Sequence, residues 1–313
     1  MLLIGIVRAG RTEKRKDGTM RTERANAKIN LYLNVVGRRE NGYHNIVSLM
    51  QTVSLCDLVT VDFKPTDHTS IRLTASGNDA MPTDCRNLAW RAAELFLSQV
   101  GKTGEVTVSI EKHIPMAAGL AGGSSDAAAV LRALNRLCGT PLSTEELCTL
   151  GAKLGADIPF CIMGGCALVT GIGEGLETLS DMPDVPLVVA CMGEGVSTPW
   201  AYGRLDELYD GFSKADGTDT QYQEILSAFG DGRVEDACEG FYNLFEEVVP
   251  SVQPYVDRIK TVMNESGAVR SMMSGSGPSV FGVFPTSETA SLAVERLRDM
   301  GASAFVCHPK TKY

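Results

Sequence analysis

The chain has 313 residues, enough for one large core or two modest ones, and two is the better expectation. Its 44% hydrophobic and 21% charged residues are ordinary for a folded soluble protein, and a net charge of −9 repels phosphate backbones. Nucleic acid is therefore excluded as a bulk partner, and any anionic ligand has to be held by local groups. Nine scattered cysteines without a CxxC pair read as reduced thiols of a cytoplasmic protein, and no apolar stretch is long enough for a membrane partner.

Residues 1–7 are apolar, and the basic residues Arg8, Arg11, Lys14, Arg15 and Lys16 follow them, the reverse of a secretory signal. Residues 1–23 are expected to form a disordered extension, with Met20 as a candidate natural start. Over residues 27–36 an alternating pattern sets Ile29, Leu31, Leu33 and Val35 on one face and Asn30, Tyr32 and Asn34 on the other, a half-buried strand. A basic turn ending in Asn41-Gly42 leads to a second extended stretch over 46–61, which makes a hairpin-like unit. Residues 87–100 carry Leu88, Ala92, Leu95 and Phe96 at helical spacing, and Val106, Val108 and Ile110 alternate as a strand that ends at Pro115.

The next helix is expected to start near Ser124 or Ser125, both competent N-caps, and to bury Ala128, Leu131, Leu134 and Leu137 before Gly139 and Pro141 end it. Ser143 with Glu146 forms a capping-box pattern for a further helix up to about residue 154. A Pro- and Asp-rich linker over 181–186 leads into a strand at 187–191, and a domain boundary is placed there, giving segments 24–180 and 181–313. The second segment alternates helices at 222–229 and 250–263 with strands at 279–284 and 304–307, an α+β pattern.

Between the strand ending at Pro115 and the following helix lies a run of small residues: Met116, Ala117, Ala118, Gly119, Leu120, Ala121, Gly122, Gly123, Ser124 and Ser125. Small residues let a backbone approach a ligand closely, and glycines turn consecutive N–H groups toward one anion. The helix adds unpaired N–H groups and the positive end of its dipole. The run reads as a phosphate cradle. No Gly-Lys-Ser/Thr closes it as in a Walker A loop, and the small residues are too dense for a Rossmann fingerprint.

This run resembles the ATP-binding motif of the GHMP kinases. Two further stretches resemble motifs of the same family in the same order: Asn26-Ala27-Lys28-Ile29-Asn30-Leu31, and Ser274-Gly275-Ser276-Gly277-Pro278-Ser279 before an apolar strand. The resemblance implies a two-domain GHMP kinase architecture, with an N-terminal domain like ribosomal protein S5 domain 2 and a ferredoxin-like C-terminal domain. Gly42-Tyr43-His44 and the stretch from Gly155 through Asp157 to Phe160 resemble the members that phosphorylate a cytidine-diphosphate-bearing polyol in non-mevalonate isoprenoid synthesis. Alanines at 117, 118 and 121 stand where some relatives have glycine, and Asn26 stands where proline is common.

The resemblance implies Asp157 as the base for the acceptor hydroxyl, with Lys28 beside it, orienting it and neutralising charge. Read alone, Asp157 is a turn or cap residue and Lys28 a solvent-facing lysine on an edge strand. Asn30, Tyr43, His44 and, on a looser alignment, Tyr202 are implied for the acceptor. Asn87, Leu88 and Lys112 are implied near adenine, Ser124 and Ser125 on phosphates, and Gly275 and Gly277 in a secondary wall. ATP is the implied co-substrate, Mg2+ is required to pair its charge, and its protein ligands are not readable. Another GHMP kinase of mevalonate or homoserine type, or a non-catalytic nucleotide-binding protein on the same scaffold, are the alternatives; monomer and homodimer both stay open.

Overall fold

A computed structural model describes residues 20–78, 80–212 and 219–313. In chain order the first half runs β1 (Met20–Arg38), β2 (His44–Pro65), β3 (Ser70–Ser76), α1 (Leu88–Val100), β4 (Gly104–Glu111), α2 (Gly122–Leu137), α3 (Thr144–Ala152), α4 (Ile158–Met163), β5 (Cys166–Gly171) and β6 (Gly175–Leu179). The second half runs β7 (Leu187–Cys191), α5 (Thr198–Leu208), α6 (Tyr222–Gly230), α7 (Val234–Glu239), β8 (Tyr242–Asn243), α8 (Tyr255–Glu265), β9 (Arg270–Met273), β10 (Val280–Val283), α9 (Ser287–Asp299) and β11 (Ser303–Cys307).

The first sheet has the order β3-β4-β2-β1-β8, and β2 is long enough to serve two partners on one edge. Its C-terminal half, Leu58 to Pro65, pairs with β4, while Ile46 to Gln51 pairs with β5. The gap between these partners is filled from the far end of the chain: Ser54 N–H donates to the His308 carbonyl at 2.8 Å and Lys310 N–H to the Thr52 carbonyl at 2.8 Å. In β4 buried and exposed residues alternate strictly, as one covered face requires. By contrast β1 is buried almost continuously through its centre, because both faces of the sheet are covered.

The second sheet, β11-β7-β10-β9, is antiparallel throughout. With α8 before β9 and α9 between β10 and β11 it has the βαββαβ arrangement of a ferredoxin-like domain. Alternate side chains go to opposite sides: Val188, Ala190 and Val280 join the core with α8 and α9, whereas Val189, Phe281 and Val283 pack with Ile29 and Leu31 of β1. The fold is thus a two-domain mixed α/β architecture in which β1 lies under the second sheet.

Four expectations change. Residues 20–23 are not a disordered extension: they open β1, pairing with β2 from Met20 opposite Asp62, and buried Glu23 receives Arg136. The rest of the expected extension, residues 1–19, lies outside the described residues. Second, Leu33 and Val35 do not share a face with Ile29 and Leu31. A register shift between Asn30 and Tyr32 inserts one extra residue in β1, so the side chains beyond it turn to the other core. Third, α2 begins at Gly122, with Ala121 at the N-cap, whose methyl group can make no capping hydrogen bond, so neither Ser124 nor Ser125 caps it. The small residues continue the helix rather than precede it. Fourth, α8 starts at Tyr255, after Pro254, because the residue before a proline is held out of the helical region. The Ser143–Glu146 capping box on α3 and the Asn87 cap on α1 are both present.

Candidate active site

The run from Pro115 to Ser125 folds as a tight loop that enters α2 directly. Gly119 is left-handed at φ 77, and a Cβ there would lie 2.1 Å from the Ser274 carbonyl. Only a glycine therefore lets this loop meet the one at Ser274–Gly277. Ala117 and Ala121 are also left-handed, at φ 51 and 56, a conformation that costs about 1–2 kcal/mol for a residue with a Cβ. Neighbouring strands hold the loop in place: Lys28 N–H donates to the Leu120 carbonyl at 3.1 Å and Ser279 N–H to that of Ala118 at 3.2 Å.

Three adjoining chambers run past this loop. The outermost, of about 190 Å3, is lined by Asn87, Leu88, Lys112, Pro115 and Met116 with Met81. The central one, of about 400 Å3, holds Lys28, Asn30, Gly119, Gly122, Gly123, Ser124 and Asp157 with Gly275 and Gly277. The third, of about 600 Å3, holds Tyr43, His44, Tyr202 and Asp206. Asp157 and Ser124 line both the central and third chambers, and Leu88 and Gly123 both the outer and central ones. Neighbouring chambers thus share walls, and Asp157 stands on the wall common to the central and third ones.

Lys28 is 4% exposed, and its ammonium donates to Asn30 Oδ1 at 2.7 Å and to the Gly119 carbonyl at 2.8 Å. Burial pushes its pKa below the ordinary lysine value, against an upward pull from Asp157. Asp157 stands at the N-cap of α4 and makes no capping hydrogen bond. It lies beyond ion-pair distance of Lys28, whose ammonium is held by neutral oxygens, so the expected direct pair is replaced by two groups facing one chamber.

The remaining expected residues divide. Asn30 is 1% exposed, and its amide is committed to Lys28 and to the Ser48 hydroxyl, which makes it a holder of the lysine. Ser125 is buried and donates its hydroxyl to the Asn26 carbonyl, away from the chamber, so it is not a phosphate ligand. Leu120 is likewise buried and serves through its carbonyl.

Lys112 is bound below the loop by Asp57 at 2.5 Å and Asp126 at 2.9 Å. Burial would lower its pKa, but Asp126 and Asp57 outweigh this and hold it above the ordinary lysine value. Asp57 also accepts the N–H groups of His113 and Ile114 at 2.6 and 2.8 Å. Asp126 lacks such help, and one of its oxygens has no partner. Burial, with Asp57 adding to it, pushes its carboxyl up to about 7 despite Lys112.

In the third chamber His44 stacks on Tyr202 with ring centroids 4.5 Å apart, and its Nε2 meets Asp206 Oδ1 at 2.7 Å. Burial, then the Asp157 charge, pushes the Tyr202 hydroxyl up to about 12. Tyr43 is 60% exposed at the mouth. Asp206 and the Asp57–Lys112–Asp126 cluster were not foreseen. Asp206 follows Tyr202 by four residues, so a helical reading of 198–208 would have put both on one face.

A glycine-built anion loop at a helix start, facing a lysine and an uncapped carboxylate in a cleft between two α/β domains, defines a small-molecule kinase. The sequence matches the GHMP kinases N terminal domain over residues 87–165 and the GHMP kinases C terminal domain over 225–303, and the chain belongs to that family. Within it the chain groups with the 4-diphosphocytidyl-2-C-methyl-D-erythritol kinases. The protein so named from Caldicellulosiruptor saccharolyticus is 40% identical over 275 residues, covering 88% of this chain and 92% of its own. That from Clostridium botulinum is 39% identical over 283 residues, covering 90% and 98%. Among solved structures, a 4-(cytidine 5'-diphospho)-2C-methyl-D-erythritol kinase superposes with a TM-score of 0.75 at 35% identity, covering 92% and 98%. A homoserine kinase from Cytophaga hutchinsonii superposes at 0.70 over 97% and 98%, and at 15% identity it shares the fold alone.

Proposed function

We propose that the chain transfers the γ-phosphoryl group of ATP to the 2-hydroxyl of 4-diphosphocytidyl-2-C-methyl-D-erythritol. The observation that carries this is the row of three adjoining chambers, with Asp157 on the wall shared by the two that would hold the phosphoryl group and the alcohol. The outer chamber takes the adenine, and the N–H groups of the loop and of the first turn of α2 take the phosphates. The third chamber takes the cytidine, with the His44–Asp206 pair offering both donor and acceptor to a base edge and Tyr43 and Tyr202 offering rings.

Asp157 accepts the proton as the hydroxyl oxygen bonds to phosphorus and the bond to the ADP oxygen breaks. Lys28, fixed by Asn30 and Gly119, offsets charge as it spreads over the transferring oxygens. Among the described residues no three His, Cys, Asp or Glu side chains cluster as a metal site. Asp157 is the carboxylate of the central chamber, with the Ser124 hydroxyl nearby, which fits Mg2+ arriving with the nucleotide and held mainly by its phosphates. That ion would supply charge neutralisation on the ATP oxygens.

Among the described residues no helix is long and apolar enough to cross a membrane, and nine unpaired cysteines fit a reducing compartment such as the cytoplasm. A coupled ADP-release assay tests the function. Turnover is expected with the diphosphocytidyl alcohol and not with mevalonate or homoserine. Turnover with either of those and none with the first would refute the assignment.

A further inference from the structure

Residues 308–313 leave the second sheet after β11 and cross to the first, where they run along the open stretch of β2 and end against α4. Gln51 Nε2 donates to the Lys310 carbonyl at 2.9 Å, Lys312 bridges to Gly164, and Tyr313 N–H donates to the Met163 carbonyl at 3.3 Å. Although Tyr313 is 45% exposed, its hydroxyl lies inside, at a break in the β1–β2 register. There Asn26 faces Cys56 but Lys28 faces Thr52, so three residues of β2 stand opposite one of β1. Across this break the Asn26 N–H donates to the Tyr313 hydroxyl at 3.1 Å, and that hydroxyl donates to Asn26 Oδ1 at 3.0 Å.

The Tyr313 ring also lies 3.6 Å under the Arg132 guanidinium. Arg132 joins the two elements that carry the reacting side chains. Its Nη2 donates to the Arg24 carbonyl of β1 at 2.9 Å, and its Nη1 to the Cys161 carbonyl of α4 at 2.6 Å. Lys28 is two residues beyond Asn26 on β1. Asp157 stands at the N-cap position of α4, only six residues long, so Cys161 lies one turn from it. The C-cap of that helix, Gly164, has no room for a Cβ, which would stand 2.9 Å from the Tyr313 ring.

We propose that Tyr313 is a positioning residue that fixes the separation of Lys28 and Asp157 by holding the Asn26 end of β1 and, through Arg132, helix α4. The inference rests on the kinase reading above for its kinetic consequence and on geometry alone for its structural one. It gives the second domain a hold on the catalytic groups, because the segment that carries Tyr313 is continuous with β11.

The test compares Tyr313→Phe, which keeps the ring under Arg132 and loses both bonds to Asn26, with Tyr313→Ala, which loses both holds. With the diphosphocytidyl alcohol, kcat is expected to fall about tenfold in Tyr313→Phe and about 100-fold in Tyr313→Ala, with the ATP KM within about twofold of wild type, because misplacement by an ångström weakens chemistry more than binding. In parallel, acylation of Lys28 is followed by peptide mass spectrometry, with Lys112, also buried but bonded to Asp57 and Asp126 rather than to Tyr313 or its partners, as internal reference. Lys28 labelling should rise about tenfold in Tyr313→Ala, as local opening predicts, and Lys112 labelling should not. A kcat within about twofold of wild type in both variants, or Lys28 and Lys112 labelling that rise together or not at all, would overturn the proposal. If wild type turns over none of the alcohol, the kinase assignment fails and the labelling ratio decides the role of Tyr313. If Tyr313→Ala does not fold, the same two readouts on Tyr313→Phe decide it.

Discussion

Lys28→Met should separate chemistry from stability. Methionine nearly matches the stem of lysine but carries no charge and no donor. Removing a fixed cation aimed at a transferring phosphoryl group is expected to lower kcat about 100- to 1,000-fold, the loss of ~2.7–4 kcal/mol typical of one preorganised electrostatic contact. Folding should respond differently. Lys28 is 4% exposed and its ammonium faces Asn30 Oδ1 and the Gly119 carbonyl, with no carboxylate in contact, so the wild type bears an unpaired buried charge. Methionine removes that burden. It also takes a donor from both oxygens, and the single Ser274 hydroxyl, 3.4 and 3.2 Å away, can serve one of them. The acceptor left over costs about 1–3 kcal/mol, which the relief of the buried charge should match or exceed.

The sign with pH follows from burial. The folded pKa of Lys28 lies below its unfolded value of 10.5, so between the two the unfolded chain binds more protons and wild-type stability rises with pH. The stability difference in favour of Lys28→Met should therefore be greatest below that window and shrink as pH approaches 10.5. Steady-state ADP release and thermal melts from pH 7 to 10 measure both effects. Turnover within about tenfold of wild type, or a melting difference in favour of the variant that grows with pH, would refute the reasoning.

Gly119→Ala places a Cβ on the Ser274 carbonyl at a left-handed residue, so it should lower the melting temperature and raise the ATP KM as the two loops part. Asp126→Asn removes a carboxyl whose folded pKa, about 7, lies above its unfolded 3.8. The contribution of this carboxyl to wild-type stability should then be full below pH 4 and fall toward pH 7 by at most ~1.4 kcal/mol per unit, so the stability difference between wild type and variant should shift in favour of the variant from pH 4.5 to 7.5; an equal difference by urea denaturation at both pH values would contradict this. Asp206→Ala frees His44 Nε2 and should raise the acceptor KM about tenfold while leaving that for ATP unchanged, measured by varying each substrate in turn.

The parts of this site that could be read from sequence are those whose residues lie close together in the chain. The loop from Pro115 to Gly123 declares itself by density of small residues, and the capping box on α3 by two residues three apart. Lys28 and Asp157 came only with the family resemblance, since each alone has an ordinary explanation. What was not legible depends on distant partners. Asp57 lies 55 residues from Lys112, and nothing in the pattern of β2 marks it as the acid beneath the loop. The extra residue in β1 that sends Leu33 away from Leu31 leaves the sequence alternation intact, so periodicity alone puts both on one face. Ser124 and Ser125 look like caps because a serine next to an apolar run is the usual sign, whereas the helix begins two residues before Ser124, on glycines.

The first sheet draws on three separate stretches of chain. Residues 20–179 supply most of it, Tyr242 and Asn243 add the edge beside β1, and residues 308–310 complete the middle of β2. A cut near residue 180 would thus separate the sequence into two motifs but not the molecule into two modules. Expressed alone, the first piece would present the unpaired middle of β2 and a bare flank of β1, both open to edge-to-edge association. During synthesis the middle of β2 stays unpaired until residues 308–310 have left the ribosome, and the nucleotide loop gains its contacts with Ser274 and Ser279 only once the second domain has been made.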